Sequence, residues 1–384
     1  MSYPLVCLGD VADFINGVAF KPEDWGAEGK PIIRIQNLND PVKEYNYTYR
    51  EVKDTNIARK GDLLVSWSAS LGVYEWNGQE ACINQHIFKV VPNDEKIDKT
   101  YLKRALELSI VEMESQVHGA TMKHITRGKF LANKIPLPPV AEQRRIASIL
   151  EQADELRQKR QQAIEKLDQL LQATFIDMFG DPVSNPKGWE IGSLNNYGSY
   201  KNGLNFGKGE SGNKVLYIGV GDFKQLSKID DVSKLSAIDL NELPSSDYFI
   251  KNGDLLFVRS NGNKELVGRC IAVYPNEKLV TYSGFCIRYR IEQPELTSSY
   301  LVHLFRAKSF KQTIFDGGQG ANIQNINQQI LSRLQIPIPP QDLQEKWSKI
   351  LLSIEDQRQK LYKQLDLQNQ LFSSLQNQAF NGTL

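Results

Sequence analysis

The chain repeats itself in order, and any fold it adopts must be built twice. Ile135 to Pro139 (IPLPP) returns as Ile336 to Pro340 (IPIPP) 201 positions later, each copy just ahead of a helical pattern of about forty residues. Asn16, Gly17 and Phe20 return as Asn202, Gly203 and Phe206, and Gly61 to Leu64 (GDLL) returns intact as Gly253 to Leu256. Tyr101 and Leu102 recur as Tyr300 and Leu301, and Gly119, Ala120 and Ile125 as Gly320, Ala321 and Ile326. The offset grows from 186 through 192 and 199 to 201, so small insertions separate two copies of one unit. The order predicted is globule, long helix, globule, long helix.

Size agrees with that division, because 384 residues exceed what one hydrophobic core ordinarily serves, and 41% apolar residues can fill two. No run of about eighteen apolar residues occurs and the start MSYPLVCLGD lacks a basic flank ahead of an apolar stretch, which predicts a cytoplasmic protein with neither membrane span nor signal peptide. Cys7, Cys82, Cys270 and Cys286 form no CxxC pair and read as reduced, buried thiols. The net charge of +1 argues against a uniformly basic nucleic-acid binder. Residues 1–140 hold 17 Lys and Arg against 18 Asp and Glu, and residues 181–340 hold 18 against 15. Any grip on nucleic acid must come from local patches, with partner subunits adding phosphate affinity.

From Ala141 to Gly180, apolar residues at Ile146, Ile149, Leu150, Ala153, Leu156, Ile164, Leu167, Leu170, Leu171, Met178 and Phe179 step by threes and fours, as along a coiled-coil seam. Trp347, Ile350, Leu351, Ile354, Leu361, Leu365, Leu371, Phe372, Leu375, Ala379 and Phe380 repeat the register. Such a helix spans roughly 60 Å, more than one small globule covers. The simplest partner for each helix is the other. Arg160, Gln357 and Gln368 interrupt the seam; they either fix its register or sit at its edge and reach water. Paired prolines (Pro138, Pro139, Pro339, Pro340) sharpen each helix start, and GDPVSNPKGW (180–189) reads as a linker.

In the first globule residues 31–36, 62–67 and 86–91 read as strands and 99–115 as a helix. In the second, 215–220, 254–260, 270–274 and 285–291 read as strands and 298–315 as a helix. The fold class is α+β: two similar mixed domains, separated and joined by two long helices, with an internal pseudo-twofold repeat. With a one-residue slip the apolar framework matches, Ile33, Ile35 and Leu38 against Ile218, Val220 and Phe223. The expected tips do not: Arg34 faces Gly219, Trp67 faces Arg259, Ala69 faces Asn261, His86 faces Phe285, and Lys123 and His124 face Gln324 and Asn325. Two like scaffolds with unlike polar tips suit the reading of two different ligands.

Catalytic patterns are missing. GKGESGNK (207–214) contains a formal GxGxxG, but a strand follows it where a dinucleotide site needs a helix, and Asn213 stands where a phosphate-binding loop needs lysine. No HExxH, GxSxG or NPPY-like tetrapeptide occurs, and His86, His118, His124 and His303 have no partner at metal-ligand spacing. Asp62 and Asp254 each follow a glycine at a strand mouth, where a turn-stabilising role fits. The chain reads as non-catalytic, with no metal.

The opening LGDVADFINGVAFK, the stretch GATMKHI (119–125), MFGDPVSNPKGW after the first helix and the duplicated IPLPP-helix order together resemble the specificity (S) subunit of type I restriction-modification enzymes. The resemblance covers essentially the whole chain. It implies target recognition domains at 1–140 and 181–340, and spacer helices at 141–180 and 341–384 that form an antiparallel coiled coil. ADELR (153–157) is similar to a short spacer repeat of some members, here in one copy. The implied partners are double-stranded DNA and two modification subunits that use S-adenosylmethionine to methylate adenine N6. Restriction subunits add ATP- and Mg-dependent translocation and cleavage. The chain itself carries no cofactor.

An antiparallel helix pair would face both domains to one side of a duplex, with half-sites about one turn apart, roughly 10 base pairs. Arg and Lys pair with guanine edges, and Asn and Gln with adenine. The candidate DNA contacts are therefore Arg34, Gln36, Trp67, Ser68, Gln85, Lys123 and His124 in the first domain. In the second they are Asp222, Arg259, Asn261, Asn263, Arg269, Gln324 and Asn325. Any one of them could instead be a solvated side chain or a phosphate contact, and Trp67 could be core. Two other readings stay open: a scaffold whose paired helices join two protein-binding domains, and an orphan DNA-binding regulator.

Overall fold

The computed structural model describes residues 3–116, 126–207, 209–223, 227–316 and 325–384. The chain divides into two compact units, Met1–Gln161 with Lys363–Leu384, and Gln162–Tyr362. The division falls within each long helix rather than at its proline-marked start.

Unit 1 contains β1 (Leu5–Cys7), β2 (Ala12–Asn16), β3 (Lys30–Ile33), β4 (Asn46–Thr48), β5 (Ile57–Ala58), β6 (Leu63–Ser66), β7 (Gly72–Glu75), β8 (Ala81–Ile83), β9 (Ile87–Pro92) and β10 (Lys134–Pro136). Its helices are α1 (Ile35–Asn39), α2 (Lys99–Gln116), α3 (Arg127–Leu131) and the first part of α4 (Val140–Phe179). The strands form an antiparallel sheet β2-β9-β6-β7, a mixed sheet β4-β3-β8-β5 in which β3 and β8 run parallel, and a ribbon β1-β10.

Unit 2 contains β11 (Glu190–Ser193), β12 (Gly198–Asn202), β13 (Asn213–Ile218), β14 (Lys228–Ile229), β15 (Ala237–Leu240), β16 (Asp254–Val258), β17 (Cys270–Val273), β18 (Val280–Tyr282), β19 (Cys286–Ile291) and β20 (Gln335–Ile338). Its helices are α5 (Ser298–Arg306), α6 (Lys308–Asp316), α7 (Gln328–Ser332) and the first part of α8 (Gln341–Asn381). The same plan returns as β12-β19-β16-β17 with β14 added at the edge, β15-β13-β18 with β13 and β18 parallel, and β11-β20. The α+β fold and its internal duplication are thus present in the chain.

Several sequence echoes have a physical cause, while that of Gly119, Ala120 and Ile125 lies outside the described residues. Gly61 (φ 92°) and Gly253 (φ 85°) hold backbone conformations that a side chain would strain. The next residue closes the turn: the Asp62 carboxylate accepts the Arg59 N–H at 2.7 Å, and Asp254 accepts that of Lys251 at 2.7 Å. The leucines that follow are buried. Gly17 and Gly203 lie where the chain leaves β2 and β12 to touch the second sheet, through Val18 N–H to Ile83 O (2.8 Å) and Leu204 N–H to Tyr282 O (2.9 Å). A Cβ on either glycine would come within 3.0 Å of a carbonyl oxygen, that of Asn84 or Ser283. Tyr101 and Tyr300 are buried and donate their hydroxyls to the carbonyls of Pro136 (2.8 Å) and Pro337 (2.9 Å), locking α2 and α5 to the proline motif.

A pair that the sequence reading overlooked does more. Gln143 and Gln344, 201 residues apart, are both 0% exposed. The Gln143 amide accepts the Asp98 N–H (2.7 Å) and donates to the carbonyls of Lys96 (3.0 Å) and Pro138 (2.8 Å). Gln344 likewise accepts the Thr297 N–H (2.9 Å) and donates to Glu295 O (2.8 Å) and Pro339 O (2.9 Å). Each glutamine fixes the start of a long helix to the loop that opens α2 or α5.

Within unit 1 the two long helices run antiparallel: Arg145 reaches Leu384 O, Arg157 donates to Asn369 (2.7 Å), and Arg160 donates to Gln368 (2.9 Å) and Gln364. Within unit 2 Arg358 pairs with Asp168 (2.8 Å), and Phe175 meets Trp347 edge-on at 5.3 Å. Ile146, Leu150, Ile164, Leu171, Trp347, Leu351, Ile354 and Phe372 are buried, while Ile149, Ala153, Ile350, Leu361 and Leu365 are half-buried. Three positions read from periodicity need correction: Leu156, Leu170 and Leu371 are exposed, because Leu171 and Phe372 take the core slot beside the last two. Gln357, which matches Leu156, is exposed too, so it does not interrupt the seam. Arg160 and Gln368 satisfy each other across it.

Two of the expected elements give way partway to another element. The strand read through residue 36 stops at Ile33 because the Asn37 amide oxygen accepts the Arg34 N–H at 3.1 Å and starts α1. The helix expected over 298–315 breaks at Ala307, which is extended (φ −60°, ψ 132°). In an unbroken helix residues 305 and 310 would point about 140° apart. The break brings Phe310 back against Phe305, ring centroids 5.5 Å apart.

Candidate nucleic-acid interface

Three chain segments meet at one edge of each unit, and the same hydrogen bonds assemble them twice. In unit 1 the end of β3, the β8–β9 turn and the residue after β6 are joined by Asn84 N–H to Ile33 O (3.1 Å) and Trp67 N–H to His86 O (3.3 Å). In unit 2 the bonds are Ser283 N–H to Ile218 O (3.0 Å) and Arg259 N–H to Phe285 O (2.8 Å). The backbone therefore makes Trp67 the counterpart of Arg259, His86 of Phe285 and Arg34 of Gly219. The framework is shared and the side chains differ.

In unit 1 this edge gathers Arg34, Gln36, Trp67, Ser68 and Gln85. The Arg34 guanidinium donates to Asn46 Oδ1 (3.2 Å) and lies 5.3 Å from the Trp25 ring centroid, so its reach is set before any ligand arrives. Gln36 and Gln85 are exposed, with Gln85 Nε2 3.3 Å from His86 Nε2. Trp67 stacks on Phe88 (5.4 Å) and packs against the core, leaving only part of its ring at the surface. Ser68 is half-buried in a loop tied at its base by Ser66 Oγ to Ser70 O (2.6 Å), with Ala69 at φ 61°. Lys123 and His124 lie outside the described residues.

In unit 2 the edge gathers Arg259, Asn261, Asn263, Arg269 and Asn325. Arg259 and Arg269 bracket the β16–β17 connection, bonded through Val258 N–H to Arg269 O (3.0 Å). Asn325 pairs with Ser260, and the next residue ties on through Ile326 N–H to Arg259 O (2.9 Å). Several candidates already have local work. Asp222 accepts the Gly219 N–H (2.8 Å), the role Asn37 plays in unit 1. Asn261 Oδ1 accepts the Asn263 N–H (2.7 Å), and Asn263 Oδ1 accepts that of Glu265 (3.0 Å). Their amide nitrogens are the atoms left to donate. Gln324 lies outside the described residues.

The sequence reading placed His86 and Phe285 among the unlike tips but left both out of its candidate DNA contacts. The signal was present in their mismatch within a matched framework.

Cys286, one residue past Phe285, is buried, which pushes its thiol up to about 12 and keeps it protonated. Among the described residues no group of three His, Cys, Asp or Glu is placed to hold a metal ion, and no helix is long and apolar enough to cross a membrane.

Comparison with known proteins bears on the chain as a whole. The family model described as the type I restriction modification DNA specificity domain matches residues 3–166 and again 186–369. The specificity subunit of type I restriction enzyme MjaVIII from Methanocaldococcus jannaschii is 25% identical over 381 residues, covering 92% of this chain and 86% of that protein. The EcoBI specificity subunit from Escherichia coli is 24% identical over 322 residues, covering 77% of this chain and 63% of that one. Among solved structures, the type I restriction-modification S subunit from M. genitalium aligns with a TM-score of 0.57 at 16% identity, covering 99% of this chain and 96% of that chain. A chain from work on complex assembly and conformational transition of the type I R-M system aligns at 0.59 and 16% identity, covering 100% and 98%. At such identities the structural likeness establishes the fold.

Proposed function

Because the chain belongs to the type I restriction-modification DNA specificity family, we propose that it reads a bipartite, asymmetric DNA site, one half-site per unit. It does so as the non-catalytic specificity subunit of a cytoplasmic complex. The carrying observation is the pair of edges built by the same backbone bonds from unlike side chains. Like scaffolds place the readers equivalently; unlike readers demand unlike half-sites. Arg34, Gln36 and Gln85 would serve one half-site, and Arg259, Asn261, Asn263, Arg269 and Asn325 the other.

The long helices would set the number of base pairs between the half-sites and carry two methyltransferase subunits, to which restriction subunits add. S-adenosylmethionine, ATP and Mg would belong to those partners. The near-neutral charge leaves much of the phosphate affinity to them as well.

The test is to map methylated adenines in cells carrying the chain with its methyltransferase partner, then to exchange residues 181–340 for those of a relative. The expected result is a split site of which one half changes. A change in both halves, or methylation independent of the chain, would refute the proposal. A scaffold joining two protein-binding domains would leave the methylation pattern untouched.

A further inference from the structure

Phe285 is 61% exposed, at the turn between β18 and β19 in the middle of the unit 2 edge. It has no ring contact among the described residues. Phe206, on the loop that Gly284 N–H binds through Leu204 O (2.7 Å), differs in resting edge-on against Tyr217 at 5.1 Å. The turn that carries Phe285 is pinned: its carbonyl accepts from Arg259 (2.8 Å), and its N–H donates to Ser283 Oγ (3.2 Å). On the residue whose N–H bonds that carbonyl, half-buried Arg259, the guanidinium has no ion-pair or hydrogen-bond partner among the described residues. An apolar ring and a cation with no partner among the described residues are thus carried on backbone-bonded positions of one edge. That combination matches a DNA major groove, whose base edges offer acceptors on guanine and a single apolar group, the thymine C5-methyl.

We propose that Phe285 is a specificity-determining residue that reads a thymine methyl in the half-site assigned to unit 2, with Arg259 engaging the neighbouring base edge. The inference rests on the DNA-reading function above and deepens it. At the equivalent place unit 1 has His86, whose Nδ1 is buried and whose Nε2, 3.3 Å from Gln85 Nε2, is the ring nitrogen left to meet a base edge. Methyl dependence at this position therefore belongs to one half-site only. Cytosine in place of thymine loses the methyl and sets an amino group against the ring, where it finds no acceptor.

The test uses the full chain assembled with its methyltransferase partner, on duplexes carrying the mapped site with one thymine at a time replaced by deoxyuridine. At one position in the unit 2 half-site, loss of the methyl should weaken binding about fourfold. Phe285→Ala should bind the thymine and deoxyuridine duplexes equally, and Phe285→Leu should keep part of the difference. Because the ring is exposed, both variants should unfold at the wild-type temperature. A flat deoxyuridine profile with site-specific binding intact overturns the proposal, as does a methyl effect that survives Phe285→Ala or a half-site without thymine. Weakened assembly with the methyltransferase subunit, with DNA discrimination unchanged, would make Phe285 a protein contact and overturn it equally. Wild-type complex without any site preference would instead overturn the DNA-reading function itself.

Discussion

Replacing Gln344 with leucine tests how the second globule is held to its helix. The substitution nearly conserves volume, yet it removes the acceptor for the Thr297 N–H (2.9 Å) and Thr297 hydroxyl (3.1 Å) and the donors to Glu295 O (2.8 Å) and Pro339 O (2.9 Å). Each neutral hydrogen bond contributes about 1 kcal/mol net, and a buried partner left unpaired costs about 1–3 kcal/mol more. Leucine regains some of this through apolar burial. The expected loss is roughly 4 kcal/mol, a large part of a typical domain's 5–15 kcal/mol. Since the chain has two compact units, a single unfolding midpoint need not describe it. The assay is therefore amide hydrogen exchange on peptides covering 295–301 and 335–345, with urea unfolding alongside. Gln344→Leu should deprotect both peptides while the matching unit 1 peptides keep their rates, and Gln143→Leu should do the reverse. Unchanged exchange with a stability loss below about 1 kcal/mol would refute the idea that this amide clamps globule to helix.

Gly203→Ala would force a Cβ against the Ser283 carbonyl; backbone cannot yield as a side chain can, so unit 2 should lose about 3 kcal/mol or fail to fold, read by urea denaturation, and Gly17→Ala should do the same in unit 1. His303 is buried between Phe175 and Trp347, and burial, with Arg306 and Arg358 nearby, pushes its pKa down to about 3. The folded ring stays neutral while the unfolded one takes a proton below about 6.5, so stability falls with pH between those values; about 2 kcal/mol should be lost by pH 5, and His303→Phe should flatten that slope in urea titrations. Arg160→Leu should keep or raise helix stability but loosen the antiparallel register, detected as altered cross-linking between cysteines placed at 157 and 369.

Much of the fold was legible because duplication turns one sequence into its own comparison. Gly61 and Gly253, or Tyr101 and Tyr300, stand out where nothing nearby matches by chance. Their causes, a left-handed turn and a hydroxyl on a proline carbonyl, are local enough to keep residue identity. Gln143 and Gln344 escaped notice because a polar residue in a helix's first turn usually faces water; only the loop folded over it makes it core. The break at Ala307 was hidden for a related reason. No residue there forbids a helix, and the gain comes from Phe310 finding Phe305 in space. At the candidate edge, the side-chain types pointed to base reading. They did not tell Asn261 or Asp222, whose oxygens are spent on their own backbone, from Gln36 and Gln85, which are exposed.

The seating of each globule on its glutamine and tyrosine repeats at the two proline motifs has an evolutionary corollary. A globule exchanged as a block with its own proline motif brings the two carbonyls and the backbone N–H that the glutamine of the retained helix engages. Recombination at such borders can thus replace one globule in a single step and leave both long helices as they were.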